Sequence, residues 1–152
     1  MNVQANIDPI AAVYKTTRFV YFDIETIPCQ DEEYRHTLAR KVTAPATFKK
    51  PESIAAWLDE NRDTAADEAM AKTSFDGGRG HVCTISWAKN DSGIETRHAK
   101  TVGEEREVIA DFFTDLDPYH SETLVGHNIT GFDLSFLKKR AVCLGIKLPD
   151  NS

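Results

Sequence analysis

Hydrophobic positions recur along this chain with two different periods, and the changes between them mark out its elements. From Arg18 the sequence runs Phe-Val-Tyr-Phe to Asp23 and continues Ile24-Glu25. A β-branched and aromatic stretch that is apolar on both faces until the acids arrive predicts a central buried strand. Residues 1–17 before it are unpatterned and read as a loose lead-in. From about 30 to 75 the composition turns helical, with Pro51-Glu52-Ser53 opening one helix and a polar, Ala-rich stretch following to Met70. Asp76-Gly77-Gly78-Arg79-Gly80 reads as a turn feeding a half-buried strand, His81 to Ala88, in which Cys83, Ile85 and Trp87 share a face. Asn90-Asp91-Ser92-Gly93 turns the chain back into Ile94–His98, an antiparallel hairpin. Thr101-x-x-Glu104 is a capping box ahead of Val108, Ile109, Phe112, Phe113 and Leu116 at helical spacing. A short strand at Glu122–Gly126 and a helix from Gly131 to about Leu144, bearing Phe132, Phe136, Leu137 and Leu144, complete the pattern. Strand, hairpin, helix, strand, helix is the order of an α/β domain with a mixed sheet, spanning 18–148 with a helical insertion at about 30–75 and a tail at 149–152.

Composition narrows this picture. The 152 residues fit one domain, and 18 Lys plus Arg against 24 Asp plus Glu give a net charge of −6. Broad electrostatic adhesion to nucleic acid is therefore excluded, and a polyanionic partner requires local basic groups or bound metal. The segment from Pro51 to Asp76 carries seven acids against Arg62 and Lys72, which marks a solvated insertion and not a substrate groove. Apolar runs fall far short of the roughly 18 residues that span a bilayer, and the start of the chain lacks a basic segment followed by an apolar one. The expectation is a cytoplasmic protein without membrane contact. Cys29, Cys83 and Cys143 have no C-x-x-C spacing and read as reduced thiols, with neither a disulfide framework nor a four-Cys zinc site.

Two features carry chemistry. Asp23 and Glu25 lie two apart on a strand, hence on one face and about 6.6 Å apart at ~3.3 Å per residue. Two anions at the end of a buried strand call for a compensating cation, and hard divalent ions with oxygen ligands answer that need. Asp31 and Glu33 repeat the D-x-E spacing in a polar helical stretch, where it is a solvated face. The second feature, Gly126-His127-Asn128-Ile-Thr-Gly131-Phe132-Asp133, falls where a strand gives way to a helix, the place at which open α/β sheets bind ligands. Thr130-x-x-Asp133 is also a capping-box pattern, so Asp133 has a purely structural alternative.

Together FDIET and N-x-x-x-F-D resemble motifs I and II of the DEDD-type, DnaQ-like 3′-to-5′ exonucleases. The stretches GRGHVCTISWA and LVGHNITGFDLSFLKKRA are most similar to predicted exonucleases related to the proofreading domain of family-B DNA polymerases. The resemblance covers 18–148 and implies a ribonuclease H-like mixed sheet flanked by helices. It also implies two divalent cations, Mg²⁺ or Mn²⁺, held by Asp23, Glu25 and Asp133 as catalytic metal ligands. Thr26 and Ile27 match positions that contact the terminal nucleotide, and Asn128 and Phe132 lie on the substrate side, Phe132 with packing as its simpler role. The implied substrate is single-stranded DNA or a frayed 3′ end, with RNA as an alternative.

The chain departs from that family at its third motif, a Tyr or His four residues before a fourth acid. No Asp here is preceded at that distance by Tyr or His, and after Asp133 the sole acid is Asp150, in a loop-like end. The family's closing strand and helix have no counterpart either. The expectation is a truncated exonuclease, weakly active or inactive as given, or one completed by another subunit. The opposing class is a non-catalytic interaction module on the same fold. Loss of the last strand leaves an open edge beside Leu124, which favours self-association.

The remaining features have plainer readings. Gly77, Gly78 and Gly80 match no phosphate-cradling loop, and Arg79 is a surface residue. His81-x-Cys83 lacks the second pair that zinc requires. Lys138, Lys139 and Arg140 form a solvated helix face with phosphate contact as an alternative. Trp57 and Trp87 pack.

Overall fold

The computed structural model of the chain describes residues 18–90, 92–116 and 122–148. The lead-in over 1–17, Asp91 of the hairpin turn, and the tail with Asp150 lie outside these residues. Four strands, β1 (Arg18–Ile27), β2 (His81–Lys89), β3 (Glu95–His98) and β4 (Glu122–Val125), form one sheet in the order β3-β2-β1-β4. β2 runs antiparallel to both β1 and β3, and β4 runs parallel to β1. Four helices accompany them: α1 (Glu32–Lys41), α2 (Pro51–Lys72), α3 (Glu105–Asp115) and α4 (Asp133–Cys143). The mixed α/β architecture expected from the pattern is the one observed. Among the described residues no helix is long and apolar enough to cross a membrane.

The core lies on one side of the sheet. Val20, Phe22 and Ile24 of β1 and Val82, Ile85 and Trp87 of β2 pack with Val108, Ile109, Phe112 and Phe113 of α3 and Phe136, Leu137 and Ala141 of α4. The Phe112 ring is central, with centroids 5.2 Å from Phe22 and 5.5 Å from Trp87. Burial of β1 on both faces, expected from its composition, does not occur. Tyr21 is 47% exposed, and Asp23 and Glu25 are exposed beside it. The alternation of the pleat sends the even-numbered residues inward, and among the described residues α3 and α4 cover that side alone.

β2 corrects a second expectation. Cys83 does not share a face with Ile85 and Trp87, because Thr84 sits opposite Glu25 while Val82 sits opposite Thr26. That bulge leaves Cys83 unpaired in the ladder and turns Val82 into the core. The Cys83 thiol instead donates to the Glu25 carbonyl at 3.3 Å.

Neither capping box forms as drawn. A 3-10 turn at Val102–Glu104 precedes α3, and Thr101 makes no side-chain cap; Glu104 accepts from the Lys100 amide at 2.8 Å instead. α4 is capped by Phe132, again without a side-chain bond. The insertion folds as two helices, α1 capped by Asp31 and tied to α2 by Arg35 Nε donating to Asp67 Oδ1 at 2.6 Å. That bond raises the Arg35 pKa and lowers that of Asp67. The glycine turn serves packing: a Cβ on Gly80 would stand 2.4 Å from the Thr73 carbonyl oxygen.

Candidate functional site

β1 positions the first two candidate acids through its register. Asp23 lies opposite Ser86 and Glu25 opposite Thr84, on the exposed side of the sheet away from the core. Asp133 is the first residue of α4 and only 4% exposed, on the stripe that continues through Phe136, Leu137, Arg140 and Ala141. The expected gathering of the three carboxylates is not observed. Among the described residues no three His, Cys, Asp or Glu side chains come together in a group able to hold a metal ion. Two of the acids face solvent on the uncovered side, whereas the third belongs to the buried stripe of a helix that packs on the covered side. The donors are hard oxygens, the right chemistry for Mg²⁺ or Mn²⁺.

The four candidate substrate residues cluster around the ends of β1 and β4. Thr26 Oγ1 donates to the Ser74 carbonyl at 2.8 Å, tying β1 to the turn after α2, and Ile27 is half-buried opposite His81. Asn128 adopts a left-handed φ of 52°, and its carbonyl accepts from the amides of Gly131 at 3.0 Å and Phe132 at 2.9 Å. A Cβ at Gly131 would stand 2.4 Å from Asn128 Oδ1, so the Asn128 side chain would have to move to admit one. Phe132 is half-buried between the rings of Phe75 and Phe136, at 6.2 and 5.5 Å, as its packing role requires.

Sequence reasoning missed a buried polar network centred on Glu105. Glu105, 0% exposed, accepts from Arg140 Nε at 2.8 Å through one oxygen and from Arg140 Nη2 at 2.6 Å through the other. The Val82 amide donates to it at 2.8 Å, and His81 Nδ1 lies 3.0 Å away. Burial pushes the Glu105 carboxyl up, but Arg140, the Val82 amide and His81 outweigh it and hold the carboxyl below its ordinary range. Glu105 in turn raises the Arg140 guanidinium. The network joins α3, β2 and α4. Its signal was present in the sequence: Glu105 precedes Val108 and Ile109 by three and four residues, and Arg140 follows Phe136 and Leu137 by four and three, so both charges sit on apolar stripes.

The network also corrects the reading of the basic cluster. Arg140 is buried and ion-paired, so it presents nothing to a phosphate, while Lys139 Nζ lies 3.9 Å from Asp76 Oδ1. Trp87 packs as expected, its indole donating to Asp115 at 2.7 Å, and Trp57 rests beside Phe48. Arg79 is exposed, stacked over Tyr34 at 4.2 Å. The three thiols are free, with Cys29 buried and Cys143 exposed.

The solved structure of a family B DNA polymerase from the hyperthermophilic archaeon Pyrobaculum calidifontis is similar, with 21% identity over 87% of this chain and a TM-score of 0.49. The chain spans only 12% of that polymerase. No curated protein matches the chain. The family described as DNA polymerase family B, exonuclease domain, matches residues 16–151, nearly the whole sequence and both candidate motifs, and the chain belongs to that family.

Proposed function

We propose that the chain is a 3′-to-5′ exonuclease domain that slowly hydrolyses phosphodiester bonds at the 3′ ends of single-stranded or frayed DNA. The observation that carries this reading is the family match over residues 16–151, which contains the Asp23-Ile24-Glu25 strand and the Asn128–Asp133 turn. Family membership suggests Mg²⁺ or Mn²⁺ as the cofactor and Asp23, Glu25 and Asp133 as the acids on which hydrolysis depends. Because those acids do not gather among the described residues, no catalytic step through a metal pair is drawn for this chain. The same observation favours a second reading, a non-catalytic module that retains the fold for binding.

The test is digestion of a 5′-labelled single-stranded DNA oligomer in Mn²⁺ and then Mg²⁺, beside Asp23→Ala and Asp133→Ala. A slow ladder of one-nucleotide steps from the 3′ end, lost in Asp23→Ala, is the expected result. Internal cuts, or a ladder unaffected by Asp23→Ala, would overturn the proposal. Complete inertness alongside retained DNA binding would transfer the assignment to the non-catalytic module. In either case self-association beside β4, the last strand in the sheet order among the described residues, is part of the proposal and is checked by sedimentation at high concentration.

A further inference from the structure

The uncovered face of the sheet carries a polar lane that leads away from the acids. In the row through Glu25 the register runs Glu25, Thr84, His98; in the row through Asp23 it runs Asp23, Ser86, Thr96. The lane is ordered by its own bonds, with Ser86 Oγ 3.0 Å from Thr96 Oγ1 and Thr84 Oγ1 3.1 Å from His98 Nδ1. His98 is exposed, and because Thr84 engages Nδ1 the ring has Nε2 to offer a ligand. It is the only basic side chain in these two rows.

We propose that His98 binds a phosphate group of the nucleic-acid strand whose 3′ end lies at Asp23 and Glu25, an inference that rests on the exonuclease reading above. Two carboxylates repel a phosphodiester, so a strand brought to them needs its stabilising contacts to one side. The lane supplies them, hydroxyls first and then an imidazole. Neighbouring strands lie ~4.8 Å apart, which puts His98 about 9.6 Å from Glu25 across the sheet. That distance leaves Glu25 clear and suits a phosphate further along the same strand. The overall charge of −6 makes a local contact to phosphate count.

The experiment is fluorescence anisotropy of fluorescein-labelled oligo(dT) and oligo(U) with the full chain in EDTA, comparing His98→Ala, His98→Lys and the surface control Lys50→Ala. His98→Ala is expected to weaken binding about tenfold, the size of one hydrogen bond to a charged group. His98→Lys is expected to restore affinity with a salt dependence steeper by about 0.7 in log–log slope, the signature of one phosphate neutralised on a single strand. Equal loss with both oligomers marks phosphate as the ligand; loss with oligo(U) alone would move the contact to the sugar and overturn the proposal. Binding by the original chain that His98→Ala leaves unchanged would overturn it while sparing the exonuclease reading. No binding by the original chain would overturn it as well, and the exonuclease reading would then rest on the digestion in Mn²⁺ and Mg²⁺ described above.

Discussion

Replacing Arg140 with Met isolates the buried network that joins α3, β2 and α4. Arg140 gives Glu105 two short bonds, and Glu105 is 0% exposed, so the variant leaves a carboxylate with the Val82 amide and His81 but no guanidinium. Stripping one partner from a buried ion pair costs about 3–5 kcal/mol. With a urea m-value of ~1–3 kcal/mol/M for a domain of this size, the midpoint of unfolding falls by roughly 2 M. Trp87, buried against Phe112, reports the transition by fluorescence. Adding Glu105→Gln to Arg140→Met removes the bare charge and keeps an acceptor for the Val82 amide. The double variant should therefore recover at least about 1 kcal/mol over Arg140→Met alone. The pH dependence supplies a sign. Glu105 is held below its ordinary range in the folded chain, so its contribution is complete above the unfolded value near ~4.3 and is lost as pH falls through the lower, folded one. The gap between the original chain and Arg140→Met should accordingly narrow on acidification. A loss under about 1 kcal/mol, a gap that widens in acid, or a double variant less stable than Arg140→Met would show that the Glu105–Arg140 pair does not hold the three elements together.

Further outcomes follow from packing. Phe112→Ala should cost about 3–5 kcal/mol and alter Trp87 emission, since the ring is fully buried against Phe22 and Trp87; a change below ~1 kcal/mol would contradict its central place. Gly80→Ala drives a Cβ to 2.4 Å from a backbone oxygen, so the thermal midpoint should drop by several degrees, whereas Gly93→Ala, with nothing within 4 Å, should leave it almost unmoved. Asp23→Ala and Glu25→Ala should each change stability by no more than about 0.5 kcal/mol, as both side chains are exposed. Large losses in urea titrations of those two variants would show that the acids hold the fold.

Much of the fold was legible because it is written in local periods. The alternation in His81–Lys89, the turn at Asn90, the 3.6-residue stripe through Val108 and Phe112, and the run into Phe136 and Leu137 each predict one element, and each element formed. Features that depend on which face is covered were not legible. The Phe-Val-Tyr-Phe run is apolar throughout, and only the placement of α3 and α4 on one side decides that Val20 and Phe22 are buried while Tyr21 is not. The bulge at Cys83 is a property of the pair Glu25 and Thr84, invisible in β2 alone. The motifs themselves were read from short strings, and the family match includes both of them. Whether Asp133 meets Asp23 and Glu25 is set by the tertiary placement of α4 against β1, which no spacing encodes. The charges at Glu105 and Arg140 were readable as breaks in apolar stripes, and their mutual pairing across 35 positions was not.

Among the described residues Asp23, Glu25 and Asp133 do not form a group able to hold a metal ion. Titration of the metal-free chain with Mn²⁺, following the free ion by electron paramagnetic resonance, tests it directly. No pair of tight Mn²⁺ sites is expected in the chain. Two ions bound together at micromolar concentration, both lost on Asp133→Asn and on Asp23→Ala, would contradict it.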